Sequence, residues 1–163
     1  MKILHLRAKY SRMPKGELFY EKVREIGEYH DIPHDYDMSE EDLVDLIGRY
    51  DVLITTWSNI PIPASLAKKP GNMKYICNLS GSLNEWIPIE ITQSEIVVTN
   101  WGDAQAFQVA EGAVALLFTA LKDIPSYVLN TREGKRGKDG TVGGSLYKAR
   151  VGIYGMGFIL LYD

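Results

Sequence analysis

The sequence predicts an α/β fold in which a mostly parallel sheet is flanked by helices on both faces. Two observations support this prediction. Short apolar or β-branched runs alternate with segments of helical spacing along the first hundred residues, and such alternation builds parallel strands joined by right-handed crossovers. The 163 residues are 45% hydrophobic and 24% charged, which is the ordinary composition of a globular chain. The expected sheet is of the flavodoxin-like or Rossmann-like type.

The N-terminal segment predicts a strand, a helix and a second strand. Residues 2–7 form a short apolar run that suits a strand. Residues 17–29 place their apolar side chains mainly on one helical face. Residues 32–36 give a weaker strand signal. The helix face consists of Leu18, Phe19, Val23 and Ile26.

A second helix is predicted after Ser39. The Ser39 hydroxyl can accept a hydrogen bond from a free backbone N–H group, and the three acidic residues that follow suit the positive end of a helix. Residues 43–47 supply its apolar face, and Gly48 ends it.

Three further strands are predicted at 51–56, 73–78 and 95–99, where β-branched and apolar residues are typical of buried strands. Prolines bracket a short helical segment at 64–69. Ligands of such sheets bind at the carboxyl ends of the strands. We therefore expect a binding site among the segments at the strand ends, which are residues 7–10, 55–59, 78–84, 100–103 and 154–159.

The strongest helix prediction covers residues 106–122, which are apolar on most sides. We expect this helix to be incompletely covered. Its exposed apolar side chains are expected to include Val109, Val114, Leu117 and Phe118. A loop rich in Gly and Lys follows at 133–144, and residues 148–154 predict a final strand.

Charge and composition exclude several classes of partner. The net charge of −3 argues against nucleic acid and against an anionic membrane. Cys77 is the one cysteine, which excludes an intramolecular disulfide framework. The longest apolar stretch, residues 112–121, is about half as long as a membrane span, and the N-terminus is too soon interrupted for a secretory signal. We expect a cytoplasmic protein.

The predicted final strand leads into Gly155-Met156-Gly157-Phe158-Ile159. In a dinucleotide-binding turn the first glycine permits the tight bend, and the second lets backbone N–H groups approach a pyrophosphate. Leu160 occupies the position of the third glycine, and three residues follow it. We expect residues 155–159 to be the start of a dinucleotide site that lacks its following helix and its ribose-binding acid.

Several blocks of sequence occur in a characteristic order and spacing. The most specific are Val-Val-Thr-Asn-Trp-Gly-Asp-Ala at 97–104, Val-Ala-Glu at 109–111 and the glycine-rich run at 144–159. Supporting blocks lie at 50–56 and 73–82. In these blocks the chain resembles the N-terminal half of the D-isomer-specific 2-hydroxyacid dehydrogenases, which include the phosphoglycerate and glycerate dehydrogenases.

The resemblance implies a two-domain oxidoreductase that passes a hydride between NAD and a small 2-hydroxy or 2-oxo acid, with NADP left open. Residues 1–100 would form the first part of the substrate domain, and residues 101–163 the truncated start of the NAD-binding domain. Backbone N–H groups of Ser80, Gly81 and Ser82 would hold the substrate carboxylate. Residues 155–159 would contact the cofactor, and full-length relatives are expected to be homodimers.

The catalytic arginine, glutamate and histidine of this family lie beyond the glycine turn. His5, His30 and His34 match none of these positions, so the resemblance implies no catalytic residue in this sequence. We expect a truncated chain that is inactive by itself. The alternative is a non-catalytic, flavodoxin-like module that binds a small anion or a protein partner.

Three further groups of residues are interpreted as structural. Glu111 lies on the apolar helix, and we expect it to be buried with a partner. Cys77 is expected to be buried and inert within its strand. The His and Asp residues at 30–37 are interpreted as a solvated connector, because Pro33 interrupts their spacing and no soft ligand is nearby. No metal site is predicted.

Overall fold

The computed structural model describes residues 1–8, 16–34, 38–56, 60–83 and 86–155, together with residues 157 and 159. The chain divides into two units, Met1–Gly102 and Asp103–Asp163. The first unit carries the sheet. The second contains two helices and an irregular segment in its described part.

The first unit is built on one five-stranded sheet in which every pairing is parallel. The strands lie in the order β2-β1-β3-β4-β5, which is the flavodoxin-like order. The predicted α/β class and parallel sheet are confirmed. The strands are β1 (Lys2–Ala8), β2 (Glu28–His34), β3 (Val52–Thr55), β4 (Tyr75–Asn78) and β5 (Val97–Thr99).

The second helix follows its predicted cap and apolar face, whereas in the first helix Val23 is buried but Leu18 and Ile26, predicted on the same face, are 65% and 64% exposed. Ser39 caps the second helix, and its hydroxyl accepts a hydrogen bond from the Asp42 N–H over 3.2 Å. The short segment predicted at 64–69 is a 3-10 helix at Ala64–Ala67. The α-helices are α1 (Glu17–Ile26), α2 (Glu40–Ile47) and α3 (Ile89–Thr92).

The two faces of the sheet carry separate apolar clusters, because successive side chains of a strand point to opposite faces. Leu53 and Ile76 belong to the larger cluster, which packs against α2, the 3-10 helix and α3. Ile54 lies on the other face and packs with Val23 of α1. Helices therefore lie on both faces, as predicted.

The face that carries α1 is only partly covered by the described elements. Beside α1 lies an apolar groove of about 590 Å³, here called the α1 groove. Its sheet side is formed by Val52, Ile54, Cys77 and Leu79, and its helix side by Phe19, Val23 and Ile26.

The second unit contains α4 (Ala106–Leu121) and α5 (Ile124–Arg132). Asp123 joins the helices with a positive φ of 52°. The exposed apolar residues expected on α4 are confirmed, since Val109, Val114, Leu117 and Phe118 are 40–52% exposed. Among the described residues no single helix could span a membrane; α4 and α5 meet the length and composition test only as a pair bent by 61°.

Two predicted elements differ from the structure, and two helices were not predicted. The strand predicted at 148–154 is wrong, because residues 149–155 have no regular secondary structure. A strand needs a neighbour for its backbone hydrogen bonds, and the described part of the second unit contains no strand. The second strand begins at Glu28, not at 32, since α1 ends at Ile26. Helices α3 and α5 have no counterpart among the predicted elements.

Candidate functional site

The carboxyl ends of β3, β4 and β5 lie side by side, because these strands are neighbours in a parallel sheet. Thr55 ends β3 and pairs in register with Asn78, which ends β4. Ser80-Gly81-Ser82, here called the 80–82 turn, begins two residues later, and Asn100 directly follows β5. The predicted substrate-binding residues therefore lie at the edge of the sheet where ligands of such folds bind.

A buried network of side chains adjoins the 80–82 turn. The Thr55 hydroxyl donates to Asn78 Oδ1 over 2.9 Å. Asn78 Nδ2 donates to the Ser80 hydroxyl over 2.8 Å and to the carbonyl oxygens of Ser80 and Ser82 over 3.2 and 3.1 Å. The side chains of Thr55, Asn78 and Ser80 are all buried. A satisfied buried network of this kind favours a single conformation of the turn.

The carbonyl group of Gly81 is bonded by Asn100, the residue that follows β5. Asn100 Nδ2 donates to the carbonyl oxygen of Gly81 over 2.6 Å, while its Oδ1 accepts from the N–H of Gly102 over 3.0 Å. The backbone N–H of Trp101 also reaches the carbonyl oxygen of Ser80 at 3.4 Å. All three carbonyl groups of the turn are thus bonded to donors of the protein itself.

The N–H groups of Gly81 and Ser82 differ from the carbonyl groups of the turn in their hydrogen bonding. Within the part of the chain that the structure describes, no acceptor takes a hydrogen bond from the N–H of Gly81 or Ser82. Backbone N–H groups in a turn of small residues can surround an anion, because no side chain prevents its close approach. The arrangement therefore suits a carboxylate.

Trp101 limits the size of the residue at the centre of the turn. A Cβ atom built on Gly81 would lie 2.8 Å from Nε1 of Trp101 and 3.5 Å from its Cε2. The first distance is shorter than real Cβ contacts. Position 81 therefore requires glycine unless the indole ring or the turn moves.

The predicted cofactor residues lie in the second unit, and Met156 and Phe158 fall outside the described residues. Gly155 has a φ of 97°, a conformation that favours glycine. Gly155, Gly157 and Ile159 border a cavity of about 660 Å³ together with α4. The helix contributes Ala110, Ala113, Val114 and Leu117 to this lining.

The described geometry fits a dinucleotide site only in part. A ligand could approach the backbone closely at Gly155 and Gly157, because an added Cβ there would meet no protein atom within 4 Å. A pyrophosphate site also needs the N-terminus of a helix after the turn, and no helix follows Gly155 among the described residues. Among the described residues, the cavity lining carries no charged side chain.

Two predictions about single residues need correction. Glu111 is exposed on α4, which contradicts the expected burial with a partner; apolar neighbours in the sequence do not cover it because α4 is itself largely exposed. Cys77 is half-buried instead of buried, because it lies on the partly covered face and lines the α1 groove.

The described histidines have structural partners. His5 is fully buried, with Nδ1 2.8 Å from the Tyr29 hydroxyl, and Nδ1 of His30 lies 2.9 Å from the Tyr50 hydroxyl. The connector expected at 30–37 is wrong over its first five residues, which belong to the edge strand β2. Among the residues that the structure describes, no three His, Cys, Asp or Glu side chains could hold a metal ion.

Sequence reasoning placed Thr55, Asn78 and Asn100 in the strand-end segments where a ligand is expected, but it gave none of them an individual role. Thr55 and Asn78 lie within apolar runs and were assigned to buried strands without a role of their own. The available signal was a polar side chain at the carboxyl end of each of two neighbouring buried strands. A buried polar group needs a partner, so these positions were candidates for one shared network.

The chain is similar to known dehydrogenases, although no protein-family model matches it. A curated D-3-phosphoglycerate dehydrogenase from Archaeoglobus fulgidus is 27% identical over 120 residues, which are 74% of this chain and 23% of that protein. A solved acyclic imino acid reductase in complex with NADPH and D-arginine is 26% identical, with a TM-score of 0.62, over 82% of this chain and 41% of the other.

A glyoxylate reductase from Paecilomyes thermophila has the same fold, with a TM-score of 0.71 at 19% identity over 98% of this chain and 50% of the other. This chain resembles the N-terminal half of the D-2-hydroxyacid dehydrogenases. The resemblance drawn from the sequence blocks is confirmed. The chain matches less than a quarter of the length of the curated D-3-phosphoglycerate dehydrogenases and about half of the solved dehydrogenase chains.

Proposed function

We propose that this chain is part of an NAD-dependent oxidoreductase of the 2-hydroxyacid dehydrogenase type, and that its 80–82 turn binds the substrate carboxylate. The observation that carries the proposal is the turn itself. Its three carbonyl oxygens accept bonds from Asn78, Asn100 and Trp101, and the N–H groups of Gly81 and Ser82 have no acceptor among the described residues.

The proposed substrate is a small 2-hydroxy or 2-oxo acid. A carboxylate accepts charge-assisted hydrogen bonds from backbone N–H groups, which are about twice as strong as neutral ones. In the proposed complex Gly81 and Ser82 donate to the carboxylate, while Ser80 shapes the turn through its buried hydroxyl. The likeness to D-3-phosphoglycerate dehydrogenase over 74% of the chain supports this class of substrate.

The two units have different proposed roles. Residues 1–100 form the first part of the substrate domain, and residues 101–163 begin the NAD-binding domain. Within the latter, Gly155, Met156, Gly157, Phe158 and Ile159 are the proposed cofactor contacts, with NADP left open. The NADPH in the solved imino acid reductase supports a nicotinamide cofactor.

This chain alone is proposed to lack hydride transfer. By the resemblance, the catalytic arginine, glutamate and histidine of the family lie beyond the glycine turn and so outside the 163 residues given, and the described residues after Gly155 include no helix that could face a pyrophosphate. Without a positioned acid or base, proton transfer alone is slowed by roughly a hundred- to ten-thousand-fold.

The experiment is an amide NMR titration of the full chain with glyoxylate, using acetamide as an uncharged control of similar size. Chemical-shift changes at Gly81 and Ser82 with glyoxylate alone are expected, and their absence would overturn the proposal. Calorimetry with NADH and an absorbance assay of NADH oxidation accompany the titration. Turnover above a blank would contradict inactivity, whereas anion binding at a different place would favour the flavodoxin-like binding module.

A further inference from the structure

One buried amide makes three of the hydrogen bonds to the 80–82 turn. The Asn78 side chain has two Nδ2 protons, and they serve three acceptors: the hydroxyl of Ser80 and the carbonyl oxygens of Ser80 and Ser82. Asn78 is 1% exposed, so water does not substitute for these bonds. Two of the three carbonyl groups of the turn are therefore drawn toward one side chain.

The orientation of that amide is set by Thr55. The hydroxyl of Thr55 donates to Asn78 Oδ1 over 2.9 Å, and Thr55 is fully buried. An amide rotated by half a turn would place Oδ1 against the carbonyl oxygens of Ser80 and Ser82, so acceptors would face acceptors. The Thr55 hydroxyl opposes this rotation because only an oxygen can accept its proton at that position.

We propose that Asn78, oriented by Thr55, is a positioning residue: it holds the carbonyl groups of Ser80 and Ser82 inward and so fixes the peptide group that carries the N–H of Gly81, which stays available to an anion. The peptide group that carries the N–H of Ser82 is held by Asn100 instead, through the carbonyl oxygen of Gly81. The inference rests on the proposed function for the identity of the anion. It goes beyond that function because it assigns the site's geometry to two residues that do not contact the substrate. A peptide group that loses its inward carbonyl bond is free to rotate, and its N–H rotates with it.

A purely structural role for the network makes a different prediction. If Asn78 and Thr55 only fill space and satisfy each other, an isosteric change at Thr55 lowers stability without altering the turn. If they position the turn, the same change alters the amide environment of Gly81 and Ser82 in the absence of any ligand.

The first arm of the experiment compares Thr55→Val with Thr55→Ser in the full chain without ligand. Valine keeps the shape of threonine and removes the hydroxyl, whereas serine keeps the hydroxyl and removes a methyl group. We expect changed amide shifts at Ser80, Gly81 and Ser82 in T55V and unchanged ones in T55S. If the amide shifts of residues 80–82 in T55V are the same as in the wild-type chain, the inference is overturned.

The second arm measures glyoxylate affinity in the same variants and in Asn78→Asp, which removes both Nδ2 donors. Each lost buried hydrogen bond is expected to weaken glyoxylate binding about tenfold, in T55V and N78D but not in T55S. Equal affinity in T55V and T55S would overturn the positioning role. If the wild-type chain binds no glyoxylate, the proposed function fails, and the first arm still decides the role of Asn78.

Discussion

At the scale of single residues, Gly81 is the position where one added methyl group has a clear consequence. Gly81→Ala places a Cβ 2.8 Å from Trp101 Nε1, and such overpacking destabilises by about 1–3 kcal/mol. We expect a loss of this size in the free energy of unfolding, measured by urea denaturation followed by circular dichroism. Ser82→Ala is the matched control, because Ser82 is exposed and such changes stay within about 0.5 kcal/mol. Equal stability of the two variants would contradict the contact with Trp101.

Residue-level inference from the sequence succeeded where a local rule applies. Ser39 was correctly predicted as a helix cap, because its role depends only on the three residues that follow it. The role of Asn78 was not predicted, because its partners come from β3 and from the turn. Glu111 was wrongly expected to be buried, because the apolar character of its helix says nothing about whether another element covers it.

At the scale of elements, the cap of α2 gives the simplest test. Ser39→Ala removes the acceptor for the Asp42 N–H, and loss of such a cap costs about 1 kcal/mol. Ser39→Thr keeps a capping hydroxyl and serves as the control. We expect faster amide hydrogen exchange in the first turn of α2 in the alanine variant alone. Unchanged exchange in that variant would show that the hydroxyl does not hold the helix end.

Helix α4 is expected to promote association of the chain. Leu116 is 70% exposed, and several other apolar side chains of the same helix are exposed as well; large exposed apolar patches mark sites of interaction or aggregation. Leu116→Lys should lower concentration-dependent association, as measured by light scattering after gel filtration. Glu111→Lys, on the same helix, changes the charge without removing apolar surface and is the control. If both variants reduce association equally, the change in charge explains the reduction, and the prediction that apolar surface drives association is contradicted.

The elements that were wrongly predicted share one physical cause. Residues 148–154 have the alternating pattern of a strand, yet a strand forms only against a hydrogen-bonding neighbour, which the described second unit does not provide. Strand β2 starts in a polar run that the sequence assigned to a helix, and it forms because β1 offers it seven paired positions. Pairing partners are a property of the sheet and are not encoded in either segment alone.

At the scale of the whole molecule, the division into two units predicts independent responses to core mutations. Leu53 is fully buried, and its cluster draws only on residues of the first unit. Leu53→Ala should destabilise that unit by about 2–5 kcal/mol, while Leu18→Ala, at a site 65% exposed, should have little effect. Hydrogen exchange followed by mass spectrometry measures the amide exchange rates of the two units separately. Faster exchange throughout residues 103–155 in the Leu53 variant would contradict the independence of the units.

The fold of the first unit was predictable because alternating strands and helices allow few topologies. Right-handed crossovers between parallel strands restrict the order further. The assignment of the 80–82 turn came from the resemblance and not from these rules. The polar residues at the strand ends were candidates for a shared network, but the pairing of Thr55 with Asn78 could not be predicted, since it depends on the register of β3 and β4.

The strand order also bears on how the chain behaves during its own synthesis. Strand β1 lies between β2 and β3, so one of its edges stays unpaired until β3 has left the ribosome. Residues 35–51 separate the end of β2 from the start of β3, and at roughly 5–20 residues per second the ribosome needs about 1–3 s to translate them. During that interval the nascent chain exposes the unpaired backbone edge of β1 together with its apolar side chains. Chaperones bind surfaces of this kind.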